Sequence, residues 1–270
     1  MKRPMIKLIA LDLDGTLLDP RGRIAPETKR AVALARAAGV RVVLNTGRPI
    51  PEARYFAREA GCDSLISCLG GAALVDGETG QALYRWDIPE PWGRRALALC
   101  LGRDIELMIF AGEEIVLDPF SKKSLLRTYP YPAFHDNAVT VEDPLAYLRG
   151  RGLPVTKLHG DGNRDAYPLE RLRALEGVEL TASNDHDFEL VPAGVDKGRA
   201  LALMAARYGA DLSQCAAVGD SDNDLPMLRA AGLPIAMGNA SPAVKGAAAL
   251  VTATNGEEGA ARAVLACLER

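Results

Sequence analysis

The 270 residues carry 32 basic and 35 acidic side chains, a formal net charge of −3, with 48% hydrophobic and 25% charged residues. That balance suits a soluble globular chain long enough for one large domain or two modest ones, and the lack of a basic stripe excludes the usual nucleic-acid binder and leaves a small partner. Five scattered cysteines (Cys62, Cys68, Cys100, Cys215, Cys267) form no CxxC pair, and the apolar run Leu8–Leu11 stops at Asp12, which argues against a disulfide framework, a zinc site, a secretory signal or a membrane span and for a reducing cytoplasm.

Along the chain, Met5–Leu13 reads as a strand, Pro26–Gly39 as a helix, Val40–Leu44 as a buried strand, Pro51–Ala60 as a helix and Leu65–Cys68 as a short strand. Strands and helices alternating at this rhythm predict a parallel sheet covered on both faces. The stretch from about Gln81 to Phe188 breaks the rhythm. It offers strands at Gln81–Ile88, Glu106–Phe110, Glu114–Leu117, Val155–His159 and Val178–Ala182, helices at Trp92–Leu101 and Leu169–Leu175, and a Pro- and Tyr-rich loop at Thr128–Asn137. The alternation then returns: helix Lys197–Gly209, strand Cys215–Val218, helix Asp224–Gly232, strand Pro234–Met237, helix Pro242–Ala249, strand Leu250–Thr252 and helix Glu257–Glu269. The expected fold is α/β: a doubly wound parallel-sheet core, residues 1–82 and 188–270, with an inserted α+β cap domain at 83–187.

Four motifs carry chemistry. In Leu11-Asp12-Leu13-Asp14-Gly15-Thr16, strand alternation puts Asp12 and Asp14 on one face, roughly 7 Å apart. Two carboxylates so placed repel each other unless a cation compensates. In Asn45-Thr46-Gly47-Arg48-Pro49, a hydroxyl and free backbone N–H groups at a helix start make an anion site, although Thr46 as a plain helix cap explains the same residues. In Asp196-Lys197-Gly198, a lysine stands at the helix end that disfavours cations, which a bound phosphate reverses. A solvated surface lysine is the other reading. In Gly219-Asp220-Ser221-Asp222-Asn223-Asp224, the acidic cluster exceeds what capping requires, and oxygen-only ligands favour a hard cation such as Mg²⁺. All four motifs begin at or near the carboxyl ends of expected strands, where open α/β sheets bind ligands.

Together, Asp12–Leu17, Thr46–Arg48, Lys197–Gly198 and Gly219–Asp224 resemble the haloacid dehalogenase-type phosphohydrolases. The likeness is to their Cof-type, C2-capped subgroup, and the tail stretches Met237–Ala240 and Thr254–Gly259 share it. Only 33 residues separate Asp12 from Thr46, whereas about 150 separate Thr46 from Lys197, where that subgroup carries its cap. The resemblance implies an Mg²⁺-dependent phosphatase acting on a small phosphorylated metabolite of sugar phosphate, FMN or pyridoxal phosphate type. Asp12 would be the nucleophile and Asp14 the general acid and base. The Asp12 carboxylate, the Asp14 carbonyl and Asp220 would hold the metal, with Asp224 behind them through water. Thr46, Gly47, Lys197 and Asn223 would bind the phosphoryl oxygens, and Arg48 would reach the leaving group or the cap. One departure is Gly70, which stands where the subgroup has asparagine.

Two rivals share these residues: a phosphomutase, for which Arg94, Arg95 and Arg127 are candidate holders of a second phosphate, and a non-catalytic sugar-phosphate sensor, which needs no nucleophile. The histidines form no ligand pattern, and His186, between Asp185 and Asp187, reads as a solvated loop residue. Oligomeric state is not readable from the sequence.

Overall fold

A computed structural model of the chain describes residues 5–182 and 186–269. The strand Leu8–Leu11 is buried at every position, which requires a sheet covered on both faces. It lies parallel to Cys215–Gly219 on one side and to Arg41–Asn45 on the other. The complete sheet runs Leu250–Val251, Leu233–Ala236, Cys215–Gly219, Leu8–Leu11, Arg41–Asn45, Leu65–Cys68, Ala73–Asp76, Ala82–Arg85.

From the centre the chain moves outward twice, in opposite directions. Helix Pro26–Ala37 links Leu8–Leu11 to Arg41–Asn45, and helix Leu225–Ala230 links Cys215–Gly219 to Leu233–Ala236. Right-handed crossovers running in opposite directions place their helices on opposite faces. Accordingly, Pro26–Ala37 packs with Gly259–Leu268, and Lys197–Arg207 packs with Leu225–Ala230. The reversal makes a switch point beyond the carboxyl ends of Leu8–Leu11 and Cys215–Gly219, which is where such sheets open a crevice.

The expected elements recur with ends shifted by a few residues, but the sheet is mixed. Ala73–Asp76 runs antiparallel to Leu65–Cys68, and Ala82–Arg85, assigned from sequence to the inserted stretch, is the edge strand of this sheet. A compact turn brings the chain back, with Asp76 Oδ1 accepting from the backbone of Glu78 and Thr79. No helix among the described residues is long and apolar enough to cross a membrane. The five cysteines are free, and burial pushes the Cys62 and Cys100 thiols up to about 12.

The chain forms two compact units, one comprising the residues up to Arg48, Ala53–Leu83 and Asp196 onward, the other Pro49–Glu52 and Tyr84–Val195. The second contains a six-stranded sheet ordered Val178–Thr181, Phe188–Pro192, Val155–Gly162, Ile105–Ala111, Glu114–Leu117, Ala138–Thr140. Phe188–Pro192 belongs to this sheet because it is hydrogen-bonded on both sides, to Val178–Thr181 and to Val155–Gly162. One face of the sheet presents Leu107, Ile109, Ala111, Val155, Leu158, Phe188 and Leu190 to an apolar core shared with helices Trp92–Cys100, Pro144–Arg151 and Leu169–Arg173. The register shift between Phe110 and Ala111 is a bulge that lets both Val155 and Leu158 reach that core.

Lys157 stands one residue from Leu158 and so faces the other way, as does Glu189, which pairs in register with His159. Lys157 Nζ lies 2.6 Å from Glu189 Oε1, with both side chains buried, and His159 Nδ1 is 3.6 Å from the same oxygen. Burial alone would raise the Glu189 carboxyl, but Lys157 and His159 outweigh it and hold the pKa well below the ordinary range. Lys157→Met should therefore cost about 3–5 kcal/mol by stranding the carboxylate, while Lys157→Met with Glu189→Leu should recover most of that loss. Because the folded pKa is depressed, the pair's contribution is present at neutral pH and fades as pH falls below about 4. Urea denaturation of the three proteins at pH 7 and pH 3.5 checks both statements. A single-mutant loss below about 1 kcal/mol would show that the pair is not the buried, interdependent unit described.

Candidate active site

The central strand ends at Leu11, and the next residue, Asp12, still donates its backbone N–H to the Val218 carbonyl (3.0 Å). Asp12 is extended, with φ −72° and ψ 169°, and the chain then turns sharply through Leu13–Leu17. Gly15 makes that turn possible. Its φ is +76°, and a Cβ there would sit 2.2 Å from Asp220 Oδ2. Glycine is thus required both by conformation and by the close approach of the acidic loop.

The turn leaves the two aspartates in different surroundings. Asp12 is buried, whereas the Asp14 side chain is half exposed and ion-paired to Arg48. Arg48 Nε and Nη2 donate to Asp14 Oδ2 and Oδ1 at 2.8 and 2.7 Å, a two-point clamp. The two carboxylates thus differ in burial and in partner, Asp12 being held by Lys197 and Asp14 by Arg48. The Asp14 carboxylate lies outside the acidic group described next, so the metal-holding role implied for Asp14 rests on its backbone carbonyl alone.

Asp12, Asp220 and Asp224 each place a carboxylate oxygen within 4.8 Å of the others. Lys197 enters among them from the first residue of helix Lys197–Arg207. Its Nζ donates to Asp12 Oδ1 and Asp224 Oδ1, both at 2.6 Å, and to Asn223 Oδ1 at 3.3 Å. Asp224 has both oxygens engaged, since Oδ2 accepts from the backbone of Asp220 (2.9 Å) and Ser221 (3.1 Å). It organises the loop. Asp220 accepts from the Thr16 hydroxyl at 3.0 Å. Among the described residues no hydrogen bond reaches Asp12 Oδ2, so the second oxygen of this buried carboxylate is uncommitted.

The electrostatics favour a cation. One ammonium against three carboxylates leaves two negative charges in a buried place. Desolvation and Asp224 push the Asp12 carboxyl well above its ordinary range despite Lys197. Desolvation and Asp224 likewise raise Asp220 to about 6. Burial works against the charge on Lys197, but Asp12 and Asp224 more than compensate and hold it protonated. A divalent cation bound by oxygen would neutralise the excess, and the donor set, with no sulfur or imidazole in it, suits a hard ion.

Thr46 follows strand Arg41–Asn45, beside the end of the central strand. It is buried, and its Oγ1 accepts from the Arg48 backbone at 3.1 Å, which leaves its own hydroxyl proton to be donated. Its carbonyl accepts from Gly70 N at 3.0 Å, so the turn containing Gly70, the departure noted above, is tied directly to this motif. Gly47 is half-buried in the same loop. Asn223 Oδ1 accepts from Ser221 Oγ as well as from Lys197, which leaves its amide N–H groups for an anion.

Three residues join the site that the motif reading did not single out. Thr16 fixes Asp220. Asn239 Nδ2 donates to the Gly15 carbonyl at 2.8 Å and approaches Asp220 Oδ2 at 3.4 Å. Asn45 Nδ2 donates to the Lys197 carbonyl at 2.8 Å. Elsewhere, Arg94 pairs with Glu90 and Arg95 stacks on Trp92. His186 is exposed and accepts at its carbonyl from Tyr167 (2.6 Å), while Asp185 lies outside the described residues.

The chain is similar to known proteins along nearly its whole length. A family model for haloacid dehalogenase-like hydrolases matches residues 9–264. The chain is 29% identical to 5-amino-6-(5-phospho-D-ribitylamino)uracil phosphatase of Bacillus subtilis, over 96% of this chain and 94% of that protein. It is 28% identical to HMP-PP phosphatase of Citrobacter koseri, over 88% of this chain and 86% of that protein. Among solved structures, a haloacid dehalogenase-like hydrolase from B. subtilis matches with a TM-score of 0.84 at 26% identity, covering 96% of this chain and 99% of that one. Another, from Bacteroides thetaiotaomicron, matches at 0.78 with 29% identity, covering 97% and 99%. The chain belongs to the haloacid dehalogenase-like hydrolases.

Proposed function

We propose that this chain hydrolyses the phosphoric monoester of a small metabolite with the help of Mg²⁺, through an aspartyl-phosphate formed on Asp12. Its relatives are named as phosphatases, and the chain is a phosphoric monoester hydrolase of their family. The observation that carries the mechanism is Lys197 Nζ, 2.6 Å from Asp12 and Asp224 inside the acidic group. It orients one oxygen of Asp12 and leaves the other to attack phosphorus.

Attack by Asp12 Oδ2 splits one difficult displacement into two easier ones. Lys197, the Thr46 hydroxyl, the Gly47 backbone and the Asn223 amide bind the phosphoryl oxygens and balance the charge that develops there. Asp14 gives a proton to the leaving oxygen and then takes one from the attacking water. To do so it exchanges its Arg48 partner for the leaving group, so Arg48 sets the resting position of the acid. Bound Mg²⁺ supplies charge that offsets repulsion between the carboxylates and an anionic ester. Asp12, the Asp14 carbonyl and Asp220 would hold it, with Asp224 supporting from behind. The substrate class is a phosphorylated sugar, or a phosphorylated cofactor of the FMN or pyridoxal phosphate kind. The residues of the chemistry all belong to the first compact unit, and we assign the choice of leaving group to the inserted one, the cap.

Asp12→Asn should keep the fold and lower phosphate release by at least about a thousandfold, because an amide is a poor nucleophile. Steady-state assays over a panel of phosphorylated metabolites measure this directly, and a folded variant within tenfold of wild type would refute the assignment. Exhaustive chelation should abolish turnover, Mg²⁺ should restore it, and Ca²⁺, larger and less demanding of octahedral geometry, should support little. Undiminished activity after chelation would mean that the acidic group holds no catalytic metal.

A further inference from the structure

Strand Arg41–Asn45 is apolar at Val42, Val43 and Leu44, then ends in an asparagine with no exposed surface. An asparagine there is costly. Among the described residues its Oδ1 has no hydrogen-bond partner, and neither has Ser67 Oγ, on the residue paired with it in the next strand. A buried, unsatisfied acceptor costs about 1–3 kcal/mol, which an isosteric leucine would not incur. What the side chain does make is a bond from Nδ2 to the Lys197 carbonyl, 2.8 Å, and a contact of 3.5 Å from the same nitrogen to Met227 Sδ. Met227 lies in the helix that follows the acidic loop. One amide thus ties the end of the Thr46 strand to the backbone of the lysine and to the helix behind Asp224.

The surrounding backbone leaves that junction little room. A Cβ on Gly71 would lie 2.4 Å from the Asp196 carbonyl oxygen, and one on Gly198 would lie 2.6 Å from the Pro226 carbonyl oxygen. The backbone on either side of Lys197 is thus closely packed, and the Asn45 amide adds a side-chain bond to its carbonyl. The flexible lysine stem has four carbons, so where its ammonium falls among Asp12, Asn223 and Asp224 depends on where its Cα is fixed.

We propose that Asn45 is a positioning residue that acts through Lys197, an inference that rests on the phosphatase reading above. Asn45→Leu keeps the branched shape and removes the donor. It should lower kcat about 10–100-fold, since small misplacements of a charged group carry penalties of that order, with KM changed less than about threefold. The decisive comparison is a double-mutant cycle with Lys197→Met. If Asn45 works through the lysine, Asn45→Leu in the Lys197→Met background should change kcat less than twofold. A purely structural role would lower activity by the same factor in both backgrounds and would overturn the proposal, as would wild-type kcat in the single variant. Should Asn45→Leu fail to fold, Asn45→Ser takes its place in the same cycle. A readout free of turnover is the ¹H–¹⁵N ammonium resonance of Lys197, assigned by its loss in Lys197→Met. It should shift or broaden in the Asn45 variant, and an unchanged resonance would refute the positioning role even if the chain were inactive on every ester tested. Absence of phosphate release by wild type together with a perturbed resonance would instead locate the error in the phosphatase reading and leave the Asn45 link supported.

Discussion

A single buried ammonium with two carboxylates at 2.6 Å, and a third beside them, is the interaction on which the geometry of the candidate site depends. In water such a pair is worth little, but out of water an uncompensated carboxylate is very costly. Lys197 accordingly fixes three parts of the chain at once: the end of the central strand, the loop after Cys215–Gly219 and the start of its own helix. It settles only part of the charge. Burial first, and then the neighbouring carboxylates, raise Asp12 and Asp220, an environment in which a bound cation would be favoured.

The fold supplies the meeting point. Opposite winding from one central strand puts the carboxyl ends of Leu8–Leu11 and Cys215–Gly219 side by side at the switch point, where Asp12 and Asp220 follow their strands by one residue. Close packing then excludes side chains from the turns: the Asp220 carboxylate fills the place a Gly15 Cβ would take. The interactions that hold these loops are mostly bonds from side chain to backbone, such as Asp224 Oδ2 to the Asp220 and Ser221 amides and Asn239 Nδ2 to Gly15 O. The Asn239 bond fixes geometry without adding charge, whereas Asp224 brings a negative charge of its own to the group.

How much of this was legible in sequence depended on whether the signal was local. Apolar runs such as Leu8–Leu11 and Leu65–Cys68, and the acidic loop after Val218, mark themselves, so the α/β core and most residues of the candidate site could be picked out directly. Helices Pro119–Thr128 and Pro144–Arg151 escaped notice although both carry a local sign. In each an aspartate caps the helix and proline takes its first position, with Asp118 accepting from Ser121 N and Asp143 from Ala146 N. The Asp14–Arg48 clamp was hidden for a different reason. Its partners are 34 residues apart, and it forms where the chain has left strand geometry for the turn Leu13–Leu17. The partnership of Asn45 with the Lys197 carbonyl spans 152 residues and ends on a backbone atom, which no residue pattern can announce.

The central claim is that Asp12 Oδ2, beside a divalent cation and held by Lys197, is the atom that takes the phosphoryl group. Beryllofluoride imitates a phosphoryl group on a carboxylate without turning over, so ¹⁹F NMR of the protein with beryllofluoride tests that claim most directly. Bound fluorine resonances should appear with Mg²⁺ present, vanish on chelation, and be absent from a folded Asp12→Asn variant. A bound signal that persists without the metal or survives Asp12→Asn, or no bound signal in the Mg²⁺-loaded wild type, would contradict the account.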